Sequence, residues 1–469
     1  MQANPIIYTA VLSFVLGAPE LLAQRASTSL PNAPMTQTFL SASSQTGSAT
    51  NSPTPVGAEG TPTRLTRQEA EKLALANNPR IRITELIARV QHQAVRERRA
   101  DELPNLNGNL TAVEANDGSR ISSGSLTASR LAEHAGMGVQ LSQLITDFGH
   151  TRNLVASAKL QEKARLADAE ASRLDIVLAT DQVFFAVIEA QETLKVATQT
   201  VNARQTLTDQ VKALTKAKLK SDLDQSFAQV NLSQSKLLQL DAQNNLDAAK
   251  AALSAVLGYD KEMNFQLVDD SGSLPAVPPD LDDLIAQAIQ SRPDLQSLKY
   301  SEQAAQKFSK AQHEQLLPTV SALGAVGGTP VGSSQYFTTN WYGAVGGNVS
   351  IPIFNGFRLT AQASEAALKS KAATEQTRAL RDQVVRDIRT AWLNANTAMQ
   401  RVTVTAELLK EADTALDLAK TRYNLGLSSI VELSQAELQQ TEAAIGNANA
   451  RSQYNFAIST INFQTGVQP

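Results

Sequence analysis

Apolar residues alternate with small or polar ones in GNVSIPIFNGFRLT (347–360) and then change their spacing. Val349, Ile351 and Ile353 fall on one side of the stretch, as in a strand with two different faces. After the Asn-Gly pair the spacing of apolar residues becomes helical and stays helical to about Tyr423. This pattern predicts a strand that leads directly into a very long helix.

A long helix is also predicted in the first half of the chain, from about residue 147 to residue 218. Its apolar residues recur at alternating steps of four and three, which is coiled-coil spacing. At about 1.5 Å per residue this helix would be roughly 105 Å long. A turn near 219–221, and another near 426–428, leads into a final helix that runs back. The coiled-coil positions are Val183, Val187, Ala190, Leu194, Ala197 and Val201.

The two halves of the chain carry the same landmarks in the same order. Pro79 and Pro293 are 214 residues apart, and so are Pro104 and Pro318. Further on, LITDFG aligns with PIFNGF and KLKSDLDQSFAQ with GLSSIVELSQAE, each at a separation of 208. The sequence therefore predicts an internal two-fold repeat, whose first copy has the longer loop. The copies span 65–258 and 279–466, a Pro-rich linker (259–278) joins them, and 467–469 form a tail.

Each copy predicts the same succession of elements. A short amphipathic helix stops before Pro79 or Pro293, because proline disfavours helix in the preceding residue and fits the first turn of the next helix. A second helix then stops before Pro104 or Pro318. Two extended stretches and the long helix follow. The extended stretches lie at about 103–113, 138–147, 318–328 and 341–354.

These strands are long enough to cross a membrane, which takes about 9–11 tilted residues. Glycines and the aromatic pair Trp341 and Tyr342 fit a barrel wall with aromatic residues at the membrane interface. Four strands cannot close a barrel, because open edges would leave unpaired backbone groups in hydrocarbon. Strands that cross a membrane here would therefore belong to a barrel shared by several chains. The alternative is a pair of soluble hairpins that cap a helical bundle.

Composition narrows the function further. The net charge of −3 gives no electrostatic support for nucleic-acid binding. Aromatic residues make up only 5% of the chain, as expected for extended helices that face water. There is no cysteine, and the four histidines are not at metal-ligand spacing. With no nucleophile or phosphate-binding motif either, we expect neither an enzyme nor a bound metal or cofactor.

The N-terminus has the pattern of an export signal. The apolar run Ile6–Ala18 is too short for a transmembrane helix and has the length of a signal-peptide core. We predict a signal peptide over 1–23. Residues 24–64 are rich in Ser, Thr, Pro, Asn and Gly, and we predict a disordered leader there because so few apolar side chains cannot form a core.

The doubled layout, the two Asn/Arg-Pro breaks, PIFNG and RYNLGLSSIVELSQAE (422–437) together resemble the TolC family of outer-membrane efflux factors. The resemblance covers about residues 65–466. It implies a mainly α fold with a small β part, in which long helices form an α-barrel. Four transmembrane strands from each chain of a homotrimer would complete a twelve-stranded barrel in the outer membrane of a Gram-negative-type bacterium, in contact with its lipid.

The resemblance also implies what the chain does. It would be the outer-membrane exit duct of a tripartite efflux or type I secretion system. Its partners would be a periplasmic adaptor (membrane fusion) protein and an inner-membrane pump. A non-membrane coiled-coil scaffold or surface stalk is the alternative. Drug, metal and protein all stay open as cargo.

Residue by residue, the resemblance points to the two turns between long helices. Tyr423 and Gly426 match the family's turn at the periplasmic tip. Asp224 and Glu432 match acidic residues that line the closed end of the tunnel, although carboxylates near a helix N-terminus are also common because the helix dipole favours them. Ser428 departs from the family pattern, which has an arginine there.

Gln435 is a second departure, since the best-known family pattern has another acid at its position. Together with Ser428 it predicts that the closed state is latched more weakly in this chain, or by other residues.

Overall fold

A computed structural model describes residues 63–113, 134–261, 263, 265–268, 274–331 and 341–467. All of them belong to the compact unit that begins at Thr61. The predicted signal peptide (1–23) and nearly all of the predicted leader lie outside the described residues and stay predictions. Thr63 and Arg64, the last two residues of the predicted leader, instead form a short strand with Leu65.

The described chain is mostly helical with a small β part, which confirms the predicted fold class at this level. The first half contains β1 (Thr63–Leu65), α1 (Arg67–Asn77), α2 (Pro79–Ala100), β2 (Asn105–Val113), β3 (His134–Thr146), α3 (His150–Lys216) and α4 (Asp222–Val256). The second half contains β4 (Phe265–Leu267), α5 (Leu281–Ser291), α6 (Pro293–Glu314), β5 (Thr319–Val331), β6 (Trp341–Ser350), α7 (Arg358–Asn424) and α8 (Ile430–Thr465).

The elements of the second half follow the same order as those of the first. The two long helices α3 and α7 have 67 residues each, and α4 and α8 have 35 and 36. None of the helices in the described ranges carries an apolar stretch of the length and hydropathy that crossing a membrane would take. The residue-by-residue sequence repeat stays a prediction.

The helix breaks lie where the prolines predict them. Pro79 and Pro293 are the first residues of α2 and α6. The side chain of Asn78 accepts a hydrogen bond of 2.9 Å from the backbone N–H of Arg80 and so caps α2. Pro104 and Pro318 each lie between the end of a helix and the start of the next strand. Proline has no backbone N–H to donate, so neither the helix before it nor the strand after it extends through these positions.

The four long strands form one antiparallel sheet in the order β2-β3-β5-β6. Four of its strand bounds differ from the prediction by two residues or more: β2 begins at Asn105, β3 begins at His134, β5 ends at Val331 and β6 ends at Ser350. Ser350 pairs with Thr319, so the next residue opposite β6 would be Pro318, which has no N–H to donate. The outer strands β2 and β6 each have a free edge within the described sheet.

Separate apolar cores hold the helices together along their length. One lies between α1, α3 and α4, with Phe184 and Leu253 at its centre. A second lies between α5, α7 and α8, around Ile388. The linker is fixed against this second group, because the Trp392 indole N–H donates to the Pro278 carbonyl at 2.9 Å and the Tyr454 hydroxyl donates to the Pro275 carbonyl.

Candidate functional site at the ends of the long helices

The candidate site comprises the two turns that join the long helices, 217–221 between α3 and α4 and 425–429 between α7 and α8. We call these turns together the tip. The structure brings them to the same end of the described chain. A small core contains residues of all four helices, among them Val211, Ala228, Tyr423 and Leu433. The Lys220 ammonium also lies 4.2 Å from the centroid of the Tyr423 ring, which joins the first turn to α7.

Both turns have the same backbone geometry. The N–H of Leu427 donates to the Arg422 carbonyl at 2.8 Å, and the N–H of Leu219 donates to the Leu214 carbonyl at 2.9 Å. This bond closes a helix C-terminus when the preceding residue is left-handed. That residue is Gly426 in the second turn, with φ of 74°, and Lys218 in the first, with φ of 61°. Gly426 thus has a structural role, and Lys218 holds a conformation that suits glycine better.

Asp224 is a capping residue of α4. Its carboxylate accepts hydrogen bonds from the backbone N–H of Ser221 at 3.1 Å and from the Ser221 hydroxyl at 2.9 Å. The hydroxyl of Ser221 in turn accepts from the N–H of Asp224. This reciprocal pair satisfies free N–H groups at the helix start, so Asp224 has a local role whether or not it lines a pore.

Glu432 occupies the corresponding position of α8 but has a different partner. Its N–H donates to the hydroxyl of the N-cap Ser429 at 3.4 Å. Its carboxylate lies 3.0 Å from the Arg422 guanidinium, at the last turn of α7. The Glu432 side chain is 46% exposed. The charge of Glu432 is therefore compensated within its own hairpin, whereas the partner of Asp224 is the neutral Ser221.

Tyr423 is buried beneath the tip, and its hydroxyl has no hydrogen-bond partner among the described residues. Burial and, to a smaller extent, the negative charge of Asp224 raise the pKa of Tyr423 above its usual value. The Ser428 hydroxyl is likewise buried without a partner in the described part of the chain. Gln435 is exposed on α8.

Sequence reasoning predicted the turns but missed Arg422 and Lys220. Both lie within the quoted motifs, so the sequence already places them at the tip. Their partners, Glu432 and Tyr423, could not be predicted, because each contact depends on how two helices pack.

Trp341 and Tyr342 begin β6, at the far end of the sheet from its junction with α7. Trp341 is largely exposed. Tyr342 lies across a row of glycines: it pairs with Gly327, which pairs with Gly138 on the next strand. A Cβ atom at Gly327 would lie 2.7 Å from the Tyr342 hydroxyl. The glycines thus make room for this ring, and a membrane-interface role of both aromatics stays a prediction.

No group of three or more metal-ligating side chains occurs among the residues that the structure describes.

The family described as outer membrane efflux protein matches residues 71–259 and 284–466. The outer membrane protein TolC of Escherichia coli is 24% identical over 412 residues, which are 84% of this chain and 80% of that protein. The outer membrane protein OprJ of Pseudomonas aeruginosa is also 24% identical, over 78% of this chain and 76% of its own. The names of these relatives describe membrane proteins rather than enzymes.

Solved structures of channels share the fold. The structure of CusC has a TM-score of 0.75 at 19% identity and covers 85% of this chain and 92% of its own. The open state of the MtrE channel of Neisseria gonorrhoeae has a TM-score of 0.73 at 18% identity, and the match covers 85% of this chain and 88% of that one.

The family match spans both halves of the chain and leaves no support for the alternative of a non-membrane scaffold. The chain belongs to the outer membrane efflux protein family, and it is an exit duct for efflux in the outer membrane of a Gram-negative bacterium.

Proposed function

We propose that three copies of the chain form one duct, with a shared twelve-stranded barrel in the outer membrane and a tunnel of long helices in the periplasm. Tripartite efflux or type I secretion would then use this duct as its outermost part. The observation that carries the proposal is an apolar stripe on α2 that nothing in the described part of the chain covers.

The helix α6 shows what covers such a stripe. It packs between α3 and α7, whereas the main neighbour of its counterpart α2 is α3 alone. At positions that the predicted repeat aligns, Ala304 of α6 is 1% exposed and Val90 of α2 is 69% exposed. The free side of α2 fits the α7 helix of a neighbouring chain, just as α6 fits α3 within the chain. The stripe consists of Ile83, Leu86, Ile87 and Val90.

The helix α4 carries a second exposed apolar stripe, closer to the tip. Its residues recur at steps of four, three, seven and three, so they share one face of the helix. The outer side of α7 also exposes apolar residues. Exposed apolar surface of this extent is typical of a subunit interface. The residues are Leu223, Phe227, Val230, Leu237 and Leu240 on α4 and Val404, Leu408 and Leu418 on α7.

The sheet gives independent support. Its edge strands β2 and β6 are unpaired within the described sheet, and a membrane does not tolerate such edges. If β2 of one chain pairs with β6 of the next, three chains close a barrel of twelve strands, within the range of known barrels. Val345 is 93% exposed and would face lipid on the outer surface of that barrel.

The partners follow from this arrangement. A duct that begins in the periplasm needs a pump to drive cargo into it, so we assign it an inner-membrane pump and a periplasmic adaptor that joins pump and tip. Cargo would pass along the axis between the helices. Small molecules and proteins both fit such a route.

The test is the mass of the detergent-solubilised particle together with its conductance in planar bilayers. We expect a trimer that conducts ions. Val90→Glu should leave monomers, because it places a charge in the interface of α2. Gln306→Glu, which adds a charge at an exposed polar position of α6, should still give trimers, because α3 already covers the corresponding face of that helix. A wild-type monomer without conductance would overturn the proposal.

A further inference from the structure

Polar contacts join the α3–α4 hairpin to the α7–α8 hairpin of the same chain. We call this line of contact the inter-hairpin seam. The Asn231 amide donates to the Ser434 hydroxyl at 2.6 Å. Further from the tip, the hydroxyls of Thr200 and Thr441 are 3.3 Å apart. Between these contacts lies a buried ion pair.

This ion pair consists of Arg204 on α3 and Glu437 on α8. Their side chains are 8% and 9% exposed. The Arg204 guanidinium donates through Nη1 to the Asn231 carbonyl at 2.9 Å, which ties it to its own hairpin. Its Nε lies 3.7 Å from Oε2 of Glu437, too far for a hydrogen bond, and neither atom has another partner in the described part of the chain. The two charges thus face each other across the seam without direct contact.

Glu437 depends on nearby cations to stay charged. Burial raises the pKa of Glu437 above its usual value, and the positive charges of Arg204 and Lys420 oppose that effect. A groove of about 420 Å³ lies beside the pair, lined among others by Asp413, Lys420 and Gln440. Water can therefore reach the pair when the hairpins move apart, and hydration would compensate the charges that the seam now buries.

The pair occurs at the inter-hairpin seam within the chain but has no counterpart at the corresponding contact between chains in the proposed trimer. The predicted repeat aligns Arg204 with Ala412 and Glu437 with Gln229. In the proposed trimer these counterparts lie between chains, where the apolar stripes of α4 and α7 meet. A buried ion pair stabilises a protein little more than apolar residues in its place would. Loss of one partner is nevertheless strongly destabilising, because the other charge stays buried and unpaired. Its placement within the chain, and not between chains, indicates a role other than assembly.

We propose that Arg204 and Glu437 are positioning residues that set how closely the two hairpins of each chain approach, and so set the width of the duct near its tip. The proposal rests on the proposed function. Arg204 is 12 residues from the end of α3, roughly 18 Å along the axis, and Glu437 is nearer still to the start of α8. A change in hairpin separation at this height therefore reaches the tip.

The test compares conductance in planar bilayers with the thermal stability of the trimer. Arg204→Met leaves Glu437 buried without its closest cation, and the seam should part to admit water. We expect the mean conductance or the open probability to rise by at least about tenfold, which takes only about 1.4 kcal/mol and is well below the usual cost of breaking a buried pair. Glu437→Gln, which changes almost no volume, should act in the same direction.

The double variant Arg204→Met with Glu437→Leu distinguishes positioning from general damage. It leaves no buried charge at the seam, so conductance should return close to that of wild type. Lys195→Met is the matched control, since it removes an exposed cation of α3 whose partner Glu192 lies on the same helix. That control should conduct like wild type.

Two failures can be told apart. A wild-type protein that does not conduct would overturn the proposed function itself. A conducting wild type together with equal conductance in Glu437→Gln and in both Arg204 variants, all as intact trimers, would overturn the role of the pair. Raised conductance that the double variant does not reverse would also count against positioning.

Discussion

Arg422 and Glu432 form an ion pair of 3.0 Å across the turn between α7 and α8. Asp224, which the repeat aligns with Glu432, is held instead by the neutral Ser221 of its own helix start. Two acids that look equivalent in sequence thus differ in their electrostatic surroundings. In the proposed trimer, the negative potential at the tip would come mainly from Asp224, because the charge of Glu432 is compensated by Arg422.

This difference predicts unequal effects on ion selectivity. Asp224→Asn should lower the preference for cations more than Glu432→Gln does, and Arg422→Gln should raise it by exposing the charge of Glu432. Block by multivalent cations should follow the same order. All effects should weaken with added salt, because the screening length is about 10 Å at 0.1 M. Reversal potentials in a salt gradient across planar bilayers measure the preference.

Asparagine keeps an acceptor for Ser221 at position 224, so the helix cap is largely retained and the change tests charge. Lys195→Met, far from the tip on α3, serves as the control for loss of an exposed charge. If Asp224→Asn and Glu432→Gln leave both selectivity and multivalent block as in wild type, the two acids are helix-capping residues and line no pore.

A second prediction concerns the backbone of the two turns. Lys218 and Gly426 hold equivalent left-handed conformations, which cost a residue with a Cβ atom about 1 kcal/mol more than glycine. Lys218→Gly should therefore stabilise the first turn by about 1 kcal/mol, and Gly426→Ala should destabilise the second by about as much. Hydrogen exchange of the amides around each turn reports this local stability.

The control for Lys218→Gly is Lys212→Gly, at an exposed position six residues earlier and inside α3. There glycine should destabilise by about 1 kcal/mol, because it loses helix propensity and gains nothing from its freedom. Equal protection changes in the two variants would contradict the assignment of strain to position 218.

The features that the sequence predicts correctly are those set by interactions between residues close together in the chain. The long helices and their ends at Lys216 and Asn424 followed from apolar spacing and turn residues, which are local properties. The early end of β6 did not follow, because it depends on Pro318 in the partner strand. The partners of Arg422 and Glu437 also could not be predicted. Each pairing depends on the packing of two helices, and a charged residue on a helix has many candidate partners in the sequence.

The third prediction is a pH dependence at α1. Glu71 and Asp181 are both buried, and one guanidinium, Arg67, contacts both carboxylates, at 2.5 and 3.2 Å. Burial and then the charge of Asp181 raise the pKa of Glu71 to about 7, against the opposing charges of Arg67 and Lys72. The folded state therefore holds a proton on Glu71 that the unfolded chain releases at lower pH.

The raised pKa of Glu71 decides the direction in which stability changes with pH. The contribution of protonated Glu71 to stability is complete below its unfolded pKa of about 4.5 and is lost as the pH rises through about 7. Thermal unfolding of the detergent-solubilised protein should thus occur at lower temperature at pH 8 than at pH 5. In Glu71→Gln, which is neutral throughout, this part of the difference should disappear. If the pH profile of that variant equals that of wild type, Glu71 does not hold a proton in the folded state at neutral pH.

The last prediction tests the row of glycines beneath Tyr342. A Cβ atom at Gly327 would lie 2.6 Å from the Met137 carbonyl oxygen and 2.7 Å from the Tyr342 hydroxyl, both too close without movement. Gly327→Ala should therefore destabilise the sheet by about 1–3 kcal/mol, the usual cost of overpacking. Gly346→Ala on β6 is the matched control, because a Cβ atom there meets nothing within 4 Å. Thermal dissociation of the detergent-solubilised assembly compares the two.

A second change shows which contact is responsible. Tyr342→Phe removes the hydroxyl and should recover only part of the loss in Gly327→Ala, since the Met137 carbonyl belongs to the adjacent strand β3 and cannot rotate away. Full recovery would assign the whole effect to the Tyr342 hydroxyl. If Gly327→Ala dissociates at the same temperature as Gly346→Ala, the strands have room to spread, and the glycines are not required by the packing of Tyr342.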